Sequence, residues 1–184
     1  MFFSFTTDPL LPETMGLTAQ AVKICVENGV NVKLLTKRAD FIDKFFKLLV
    51  SYGNFDAELY LKHLAFGFTL TGHDELEPGA SSNGERIQAM KELNELGYKT
   101  FASIEPIVDF QSSMSMIKAS FPFCNLYKVG LMSGKGINYN FHTAESLHTE
   151  YLRSHIQNPS LHIRPASAPY NRRFPNTVIK KRFL

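Results

Sequence analysis

One repeating pattern constrains the fold of this 184-residue chain more than any other feature: a short apolar run, a polar cluster, then a helical stretch. The apolar runs predict strands over 2–6, 31–35, 64–70, 100–104 and 126–131. The stretches between them predict helices over about 18–28, 40–51, 84–96 and 112–119. Strands that alternate with helices at this spacing predict βαβ units and a parallel sheet.

Polar residues within the predicted strands favour one arrangement of that sheet. An open sheet with helices on both faces would have apolar residues on both faces, whereas a barrel has a distinct interior face. Three of the predicted strands instead place pairs of polar residues on one face, namely Ser4 with Thr6, Thr69 with Thr71, and Ser103 with Glu105. We therefore expect part of a (β/α) barrel over residues 1–134, with a polar ligand at the carboxyl ends of the strands.

Composition and cysteine usage exclude several classes of protein. No apolar run is long enough to span a bilayer, and the first residues lack the basic n-region of a signal peptide. The two cysteines, Cys25 and Cys124, lie far apart and outside any CxxC pair, so neither a disulfide framework nor a metal site is expected. The sequence therefore predicts a cytoplasmic protein with no membrane partner and no metal ligands of its own.

The last part of the chain, 135–184, departs from the alternating pattern. From residue 142 to the end there are seven Lys and Arg residues against two Glu. A short helix is expected over 143–156, an irregular stretch over 159–175 and a terminal strand over 177–184. This basic extension either contacts the phosphates of a nucleic acid or forms a solvated surface.

Five strings of residues carry a resemblance to a known family. They are SFTTDPLLPE, LLTKR, FTLTGHDELEPGASSNGERIQAMKELNELGYKT, IEPI and YKVG, and they stand in this order between residues 3 and 130. Together they resemble the body of radical S-adenosylmethionine (SAM) proteins of the spore photoproduct lyase type, a group that includes DNA repair photolyase-like proteins. The ending VIKKRFL is similar to the closing strand of that family.

The resemblance implies a fold and two cofactors. The fold would be a partial barrel of six βα units with SAM in its lumen and a [4Fe–4S] cluster on a CxxxCxxC loop after the first strand. This sequence has no such loop, and neither Cys25 nor Cys124 replaces it, because a cluster needs converging thiolates. The chain is therefore expected to lack the first β/α unit and to hold strands 2 to 6 of the barrel. The cluster would come from a missing segment or a separate chain.

The resemblance also assigns cofactor contacts. Thr7 corresponds to a hydroxyl residue at the methionyl amino group, Lys37 to a lysine at the methionyl carboxylate, and Thr69 to a hydroxyl residue near the ribose. The residue types suit a zwitterionic ligand, which needs an acceptor for its ammonium and a cation for its carboxylate. Asp8 is a second candidate for the ammonium, with a turn or cap as its alternative role. The alternative for Lys37 is a solvated side chain without a ligand. Thr71, on the same predicted face as Thr69, completes the candidate set.

Further side chains are candidates on their own chemistry. Glu105 is expected to point into the lumen as a catalytic carboxylate, the alternative being a salt bridge to Lys37 or Lys128. Glu77 is expected to pair with Arg86 and fix the loop beside the ligand, the alternative being a direct contact with the ligand.

His73 next to Asp74 is either an acid–base pair or a plain surface histidine. Phe5 stands where true photoproduct lyases carry a cysteine that donates a hydrogen atom. A phenyl ring cannot do this, so lysis of the spore thymine dimer is not expected.

Two functions from different classes follow. The first is a fragment of a radical SAM enzyme, acting through SAM-dependent radical chemistry on a substrate such as a nucleic acid and inactive alone without the iron–sulfur segment. The second is a non-catalytic module that binds SAM, a nucleotide or a nucleic acid. An unrelated hydrolase is disfavoured because the sequence has neither a GxSxG motif nor a phosphate-binding GxxxxGK[ST] loop.

Overall fold

The computed structural model describes residues 1–3, 7–131, 161–164 and 177–181. The strands are β1 (Phe2–Phe3), β2 (Val32–Thr36), β3 (Leu64–Thr69), β4 (Lys99–Ile107), β5 (Leu126–Leu131), β6 (Leu161–Arg164) and β7 (Thr177–Lys181). The helices are α1 (Pro12–Glu27), α2 (Ile42–Ser51), α3 (Ala57–His63), α4 (Asn83–Glu95) and α5 (Phe110–Ser120). Single 3₁₀ turns at Asp74–Leu76 and Phe121–Phe123 follow β3 and α5.

The sheet has the order β1-β2-β3-β4-β5-β7-β6. Its first five strands are parallel, so the predicted βαβ units and parallel sheet are confirmed. β7 pairs antiparallel with β5, and β6 antiparallel with β7. Among the described strands β1 is hydrogen-bonded to β2 alone, so the parallel strands form an open arc. The irregular stretch expected over 159–175 is wrong at Leu161–Arg164, which form β6. The rest of that stretch and the helix expected over 143–156 lie outside the described residues.

Two helices differ from the sequence prediction. α1 begins at Pro12 rather than near residue 18, because proline is suited to the first turn, where a missing N–H costs nothing. α3 was not predicted at all. A turn at Gly53 and Asn54, both with positive φ, ends α2, and the Asp56 side chain then accepts a hydrogen bond from the Leu59 amide to start a short helix.

The helices pack against one face of the sheet through an aromatic cluster. Phe66 and Phe68 of β3 contact Phe41, which precedes α2, and Phe66 also contacts Phe45 of α2, with ring centroids 5.8 to 6.2 Å apart. All four rings are fully buried. Burying an aromatic side chain stabilises a fold by about 1.5–3 kcal/mol, so this face supplies much of the core.

The opposite face of the sheet, called the inner face below, carries the residues between those aromatic positions. A side chain at Gly67 would place its Cβ 2.1 Å from the Phe101 ring, so the ring occupies the space above this glycine. Lys128 of β5 lies 5.1 Å from the ring centroid of Phe2 in β1. In a flat sheet these strands would be about 19 Å apart, so the contact requires a sheet that curves strongly toward its inner face.

None of the helices in the described part of the chain has the length and apolar character that crossing a bilayer requires.

Candidate functional site

The carboxyl ends of β2, β3 and β4 bring most of the predicted site residues to one end of the sheet. The connections that leave this end are the segment before α1, residues 37–41, residues 70–82 and the short turn before α5. Ligands of parallel α/β sheets and barrels bind at this end because the loops converge there. The polar groups in these connections are joined by hydrogen bonds and ion pairs.

Asp8 ties the segment before α1 to the end of β2. Its carboxylate accepts hydrogen bonds from the Thr36 hydroxyl at 2.8 and 2.9 Å, from the Lys37 amide at 2.7 Å and from the Leu10 amide at 2.9 Å. The Thr36 hydroxyl in turn accepts from the Arg38 amide at 2.9 Å. The alternative, turn-forming role of Asp8 is therefore present, since Leu10 lies two residues on.

Glu77 is the centre of the second cluster. Its Oε2 accepts from Arg86 Nη2 at 2.6 Å and from the Thr71 hydroxyl at 3.0 Å. Lys37 Nζ lies 2.8 Å from Glu77 Oε1, close enough for an ion pair although off the direction of an ideal hydrogen bond. The predicted Glu77–Arg86 pair is confirmed. Arg86 also donates to the Thr69 carbonyl at 2.7 Å, which connects the cluster to β3.

Burial sets the electrostatics of this cluster. The side chains of Arg86 and Glu77 are 0% and 5% exposed, whereas Lys37 is 48% exposed. Burial disfavours the charged form of Glu77, but the close Lys37 ammonium and the hydrogen bond from Arg86 outweigh it and hold the pKa of the Glu77 carboxyl below its usual value. The carboxylate therefore stays ionised and keeps the Lys37 ammonium near the carboxyl ends of the strands, with one side open to solvent.

Glu105 lies on the inner face at the end of β4. Its Oε2 accepts from the Ser103 hydroxyl at 3.0 Å, so the two residues share a face as the alternation predicts. A Cβ at Gly130 would lie 2.7 Å from Glu105 Oε1, so the carboxylate rests on the backbone of β5. Among the described residues neither Lys37 nor Lys128 forms the alternative salt bridge with Glu105, because Lys37 pairs with Glu77 and Lys128 lies over Phe2.

The hydroxyl residues of the predicted set have different surroundings. Thr7 is exposed, directly before Asp8, and Thr69 is buried at the end of β3. Thr71 is buried and its hydroxyl is used within the cluster, since it donates to Glu77 and accepts from the His73 amide at 3.2 Å. The structure thus joins Lys37, Thr69 and Thr71 through Glu77 and Arg86, while Glu105 stands on the neighbouring strand.

Of the two alternatives for His73, the acid–base pair with Asp74 is not formed. His73 Nε2 lies 2.5 Å from Asp109 Oδ2, and Nδ1 lies 2.7 Å from Glu75 Oε1. Asp74 instead accepts from the backbone and side-chain nitrogens of Asn83, both at 2.6 Å. Adjacent residues in a turn point apart, and the partner of His73 comes from the next loop, which no local pattern indicates.

Sequence reasoning also missed Thr36, Ser81 and Asp109. Ser81 accepts from the Ala39 amide at 3.0 Å and its own amide donates to the Lys37 carbonyl at 3.0 Å, which joins two of the loops. Asp109 caps α5 by accepting from the Ser112 amide at 2.9 Å. The capping spacing, an aspartate three residues before a serine at a helix start, was a usable signal for Asp109.

A groove of about 530 Å³ lies elsewhere, in the helix layer between α1 and α2. Its lining is mainly apolar, with Leu10 and Met15 at the base and the Arg38–Asp40 ion pair at the rim. It shares no residue with the predicted cofactor set. The polar chemistry is at the carboxyl ends of the strands, so we place the candidate site there.

The cysteines do not form a cluster site. Cys25 lies in α1 and Cys124 is buried before β5, and both are free thiols. Within the described residues no three His, Cys, Asp or Glu side chains are grouped to hold a metal ion. A [4Fe–4S] cluster takes three or four thiolates, and the chain has two cysteines in all. Its residues do not fit the cluster.

No protein-family model matches the chain, and no curated protein matches its sequence significantly. Two solved structures are similar to it. One is a mutant spore photoproduct lyase with bound AdoMet and dinucleoside spore photoproduct, at 12% identity and a TM-score of 0.48. The other is spore photoproduct lyase complexed with the dinucleoside spore photoproduct, at 13% identity and a TM-score of 0.46.

In both comparisons the match covers 98% of this chain and 52% of the other, so the chain spans about half the length of the structures it matches. At this identity and TM-score the similarity by itself assigns no activity to the chain.

Proposed function

We propose that this chain is the SAM-binding part of a radical SAM enzyme of the spore photoproduct lyase-like group. The observation that carries the proposal is the position of Lys37, an ammonium that is half exposed at the carboxyl ends of the strands and anchored by a buried glutamate–arginine pair. A fixed cation with an open side suits the carboxylate of an amino acid ligand. Lys37 is also the residue that the sequence resemblance assigns to this contact.

The other groups around Lys37 suit the rest of such a ligand. The ammonium of the methionyl end would lie between Thr7 and the carboxylate of Asp8, which is already oriented by Thr36. The ribose would lie toward Thr69 and Thr71. Glu105, on the inner face, would contact the ligand or substrate and move or hold a proton there. Bound SAM would supply the radical chemistry, and the role of these residues is to bind it, orient it and exclude water.

The [4Fe–4S] cluster has to be considered separately from SAM binding. Two cysteines are too few to ligate a [4Fe–4S] cluster. The enzyme hypothesis therefore requires a segment or a second chain that carries a CxxxCxxC motif. No catalytic step is assigned to this chain alone. The small number of cysteines also favours a second candidate function, a module that binds SAM, a nucleotide or a nucleic acid without catalysis. The basic residues of 142–184 would then contact phosphates.

Calorimetric titration of SAM into the purified chain tests the proposal. Saturable binding that is lost in Lys37→Ala is expected. The control is Lys99→Ala, which removes an exposed lysine at the amino end of β4 and should bind as the parent does. Absence of binding in the folded parent chain, or equal loss in both variants, would contradict the proposal.

Adding a chain or segment with a reconstituted cluster separates the two functions. Formation of 5′-deoxyadenosine from SAM supports the enzyme. SAM or oligonucleotide binding with no turnover under the same conditions supports the module.

A further inference from the structure

We propose that His73 is a positioning residue that acts as an imidazolium clasp: it fixes the connection between β3 and α4 against the start of α5 and releases it when the ring loses a proton. The connection, residues 70–82, carries Thr71 and Glu77 of the candidate site. The clasp stands on geometry alone, whereas its effect on ligand binding rests on the proposed function.

Both ring nitrogens of His73 face carboxylates. Nε2 faces the Asp109 carboxylate at 2.5 Å and Nδ1 faces the Glu75 carboxylate at 2.7 Å. An ionised carboxylate can only accept hydrogen bonds, so both nitrogens have to donate. A neutral imidazole carries one N–H and satisfies one carboxylate, whereas an imidazolium satisfies both. The arrangement therefore requires the doubly protonated ring.

Other groups complete the surroundings of His73. The Ser112 hydroxyl of α5 lies 3.0 Å from Nε2 and also donates to Asp109. The neighbouring Asp74 is turned to Asn83 and lies 3.7 Å from Arg86 Nη2, so Arg86 of α4 faces Asp74 and Glu77 rather than the ring. Within the described part of the chain the charged groups that the ring faces are thus two carboxylates, and both favour its protonated form.

The same contacts shift the pKa values of His73 and Asp109. Hydrogen bonds to Asp109 and then Glu75 raise the pKa of His73. Hydrogen bonds from Ser112 and then His73 lower the pKa of Asp109. The contribution of His73 is complete below its unfolded pKa of about 6.5 and is lost as pH rises through the raised value. That of Asp109 is present above about pH 3.9 and is lost as pH falls through the lowered value. The clasp is therefore strongest between about pH 4 and 6.5 and weakens above that range.

The backbone at Gly72 shows what the clasp holds. Gly72 has a φ of +77°, and a Cβ there would lie 2.8 Å from Ser112 Cβ, so the connection runs directly against the first turn of α5. Further along, the connection is held by Asp74 on Asn83 of α4 and by the Ser81 amide on the Lys37 carbonyl. Loss of the His73 contacts therefore frees the part of the connection that faces α5. This part precedes Glu77 in the chain.

Amide hydrogen exchange measured by NMR on the full chain tests the clasp without any ligand. We expect His73 to titrate above 6.5 and the protection of amides 72–77 to fall about tenfold, the factor expected for losing about one hydrogen bond, as His73 loses its proton. A His73 midpoint at or below 6.5, or protection that does not change with pH, would overturn the proposal.

Two variants make the test specific. Asp109→Asn keeps an oxygen to cap α5 but removes the charge, so the His73 midpoint and the loss of protection should both move to lower pH. His63→Gln is the matched control, because His63 pairs with Asn31 at the amino end of β3. It should leave exchange at 72–77 unchanged. The same pH dependence of exchange at 72–77 in the two variants would overturn the proposal.

SAM titration at pH 6 and pH 8 then tests the link to the site. Because the ligand's own ammonium titrates in this range, the comparison is between the parent chain and Asp109→Asn at each pH. Weaker binding in the variant, with a loss that grows with pH, supports the link. Equal affinities overturn the link. If amide exchange at 72–77 depends on pH but SAM does not bind at any pH, the result supports the clasp and contradicts the proposed function.

Discussion

The two ends of the parallel sheet are built in different ways. At the amino end the turns are closed by backbone hydrogen bonds, such as Val30 N to Cys25 O and Tyr98 N to Leu93 O, and the side-chain contacts there, such as the Thr100 amide to Asn125 Oδ1, join neutral groups. At the carboxyl end the connections are held by side chains, with Asp8 and Glu77 as the two centres.

The difference shows where the fold uses polar side chains. Backbone hydrogen bonds and glycines at positive φ are sufficient to reverse the chain. The carboxyl end instead buries a carboxylate and a guanidinium, which is costly unless the groups are fully paired. This arrangement keeps Lys37 and Thr69 at fixed positions at the carboxyl ends of the strands, as a binding site requires.

Breaking the buried pair should have the largest effect. Arg86→Met leaves the Glu77 carboxylate buried with Lys37 as its remaining cation, so the free energy of unfolding should fall by about 3–5 kcal/mol. Urea denaturation followed by circular dichroism measures it. Lys99→Met at the amino end should stay within about 0.5 kcal/mol of the parent. Similar losses in both variants would remove the distinction between the two ends.

Asp8→Ala should have the next largest effect. The substitution removes the acceptor for the Thr36 hydroxyl and the Leu10 and Lys37 amides, and we expect a loss of about 2 kcal/mol in the same denaturation experiment. Glu13→Ala, an exposed position in the first turn of α1, serves as the control with a small change. An Asp8 variant as stable as the control would show that this carboxylate does not hold the segment.

At the amino end, a glycine substitution should cost about 1 kcal/mol. Gly97 has a φ of +90°, where an L side chain is strained, so Gly97→Ala should lower the melting temperature. Gly84→Ala should raise it slightly, because Gly84 lies in α4 and a Cβ there meets nothing within 4 Å. The two substitutions should change the melting temperature in opposite directions. Changes in the same direction would contradict the assigned turn geometry.

The smallest effect on stability is expected at Lys37. Its side chain is half exposed, so Lys37→Ala should change the free energy of unfolding by less than about 1 kcal/mol. A larger loss of stability would mean that Lys37 is mainly a structural partner of Glu77 rather than a group available to a ligand.

Much of the fold could be predicted from sequence because hydrophobic periodicity records burial directly. Strand 126–131 and the helices near α2 and α4 lie within about two residues of their observed bounds. Short elements were missed where a single cap decides, as at Asp56 before α3.

The site divides in the same way. The Glu77–Arg86 pair could be expected from one loop and the helix that follows it, nine residues apart. The Lys37–Glu77 and His73–Asp109 contacts join different βα units, so they depend on the register of the sheet, which the sequence does not encode locally.

Hydrogen–deuterium exchange with and without SAM tests the central claim most directly, since it compares both ends of the sheet in one experiment. Saturating SAM is expected to protect residues 36–40 and 70–82 and to leave the amino-end turns at 28–31 and 96–98 unchanged. Protection of the amino-end turns, or of the groove between α1 and α2 with none at 36–40 and 70–82, would contradict it.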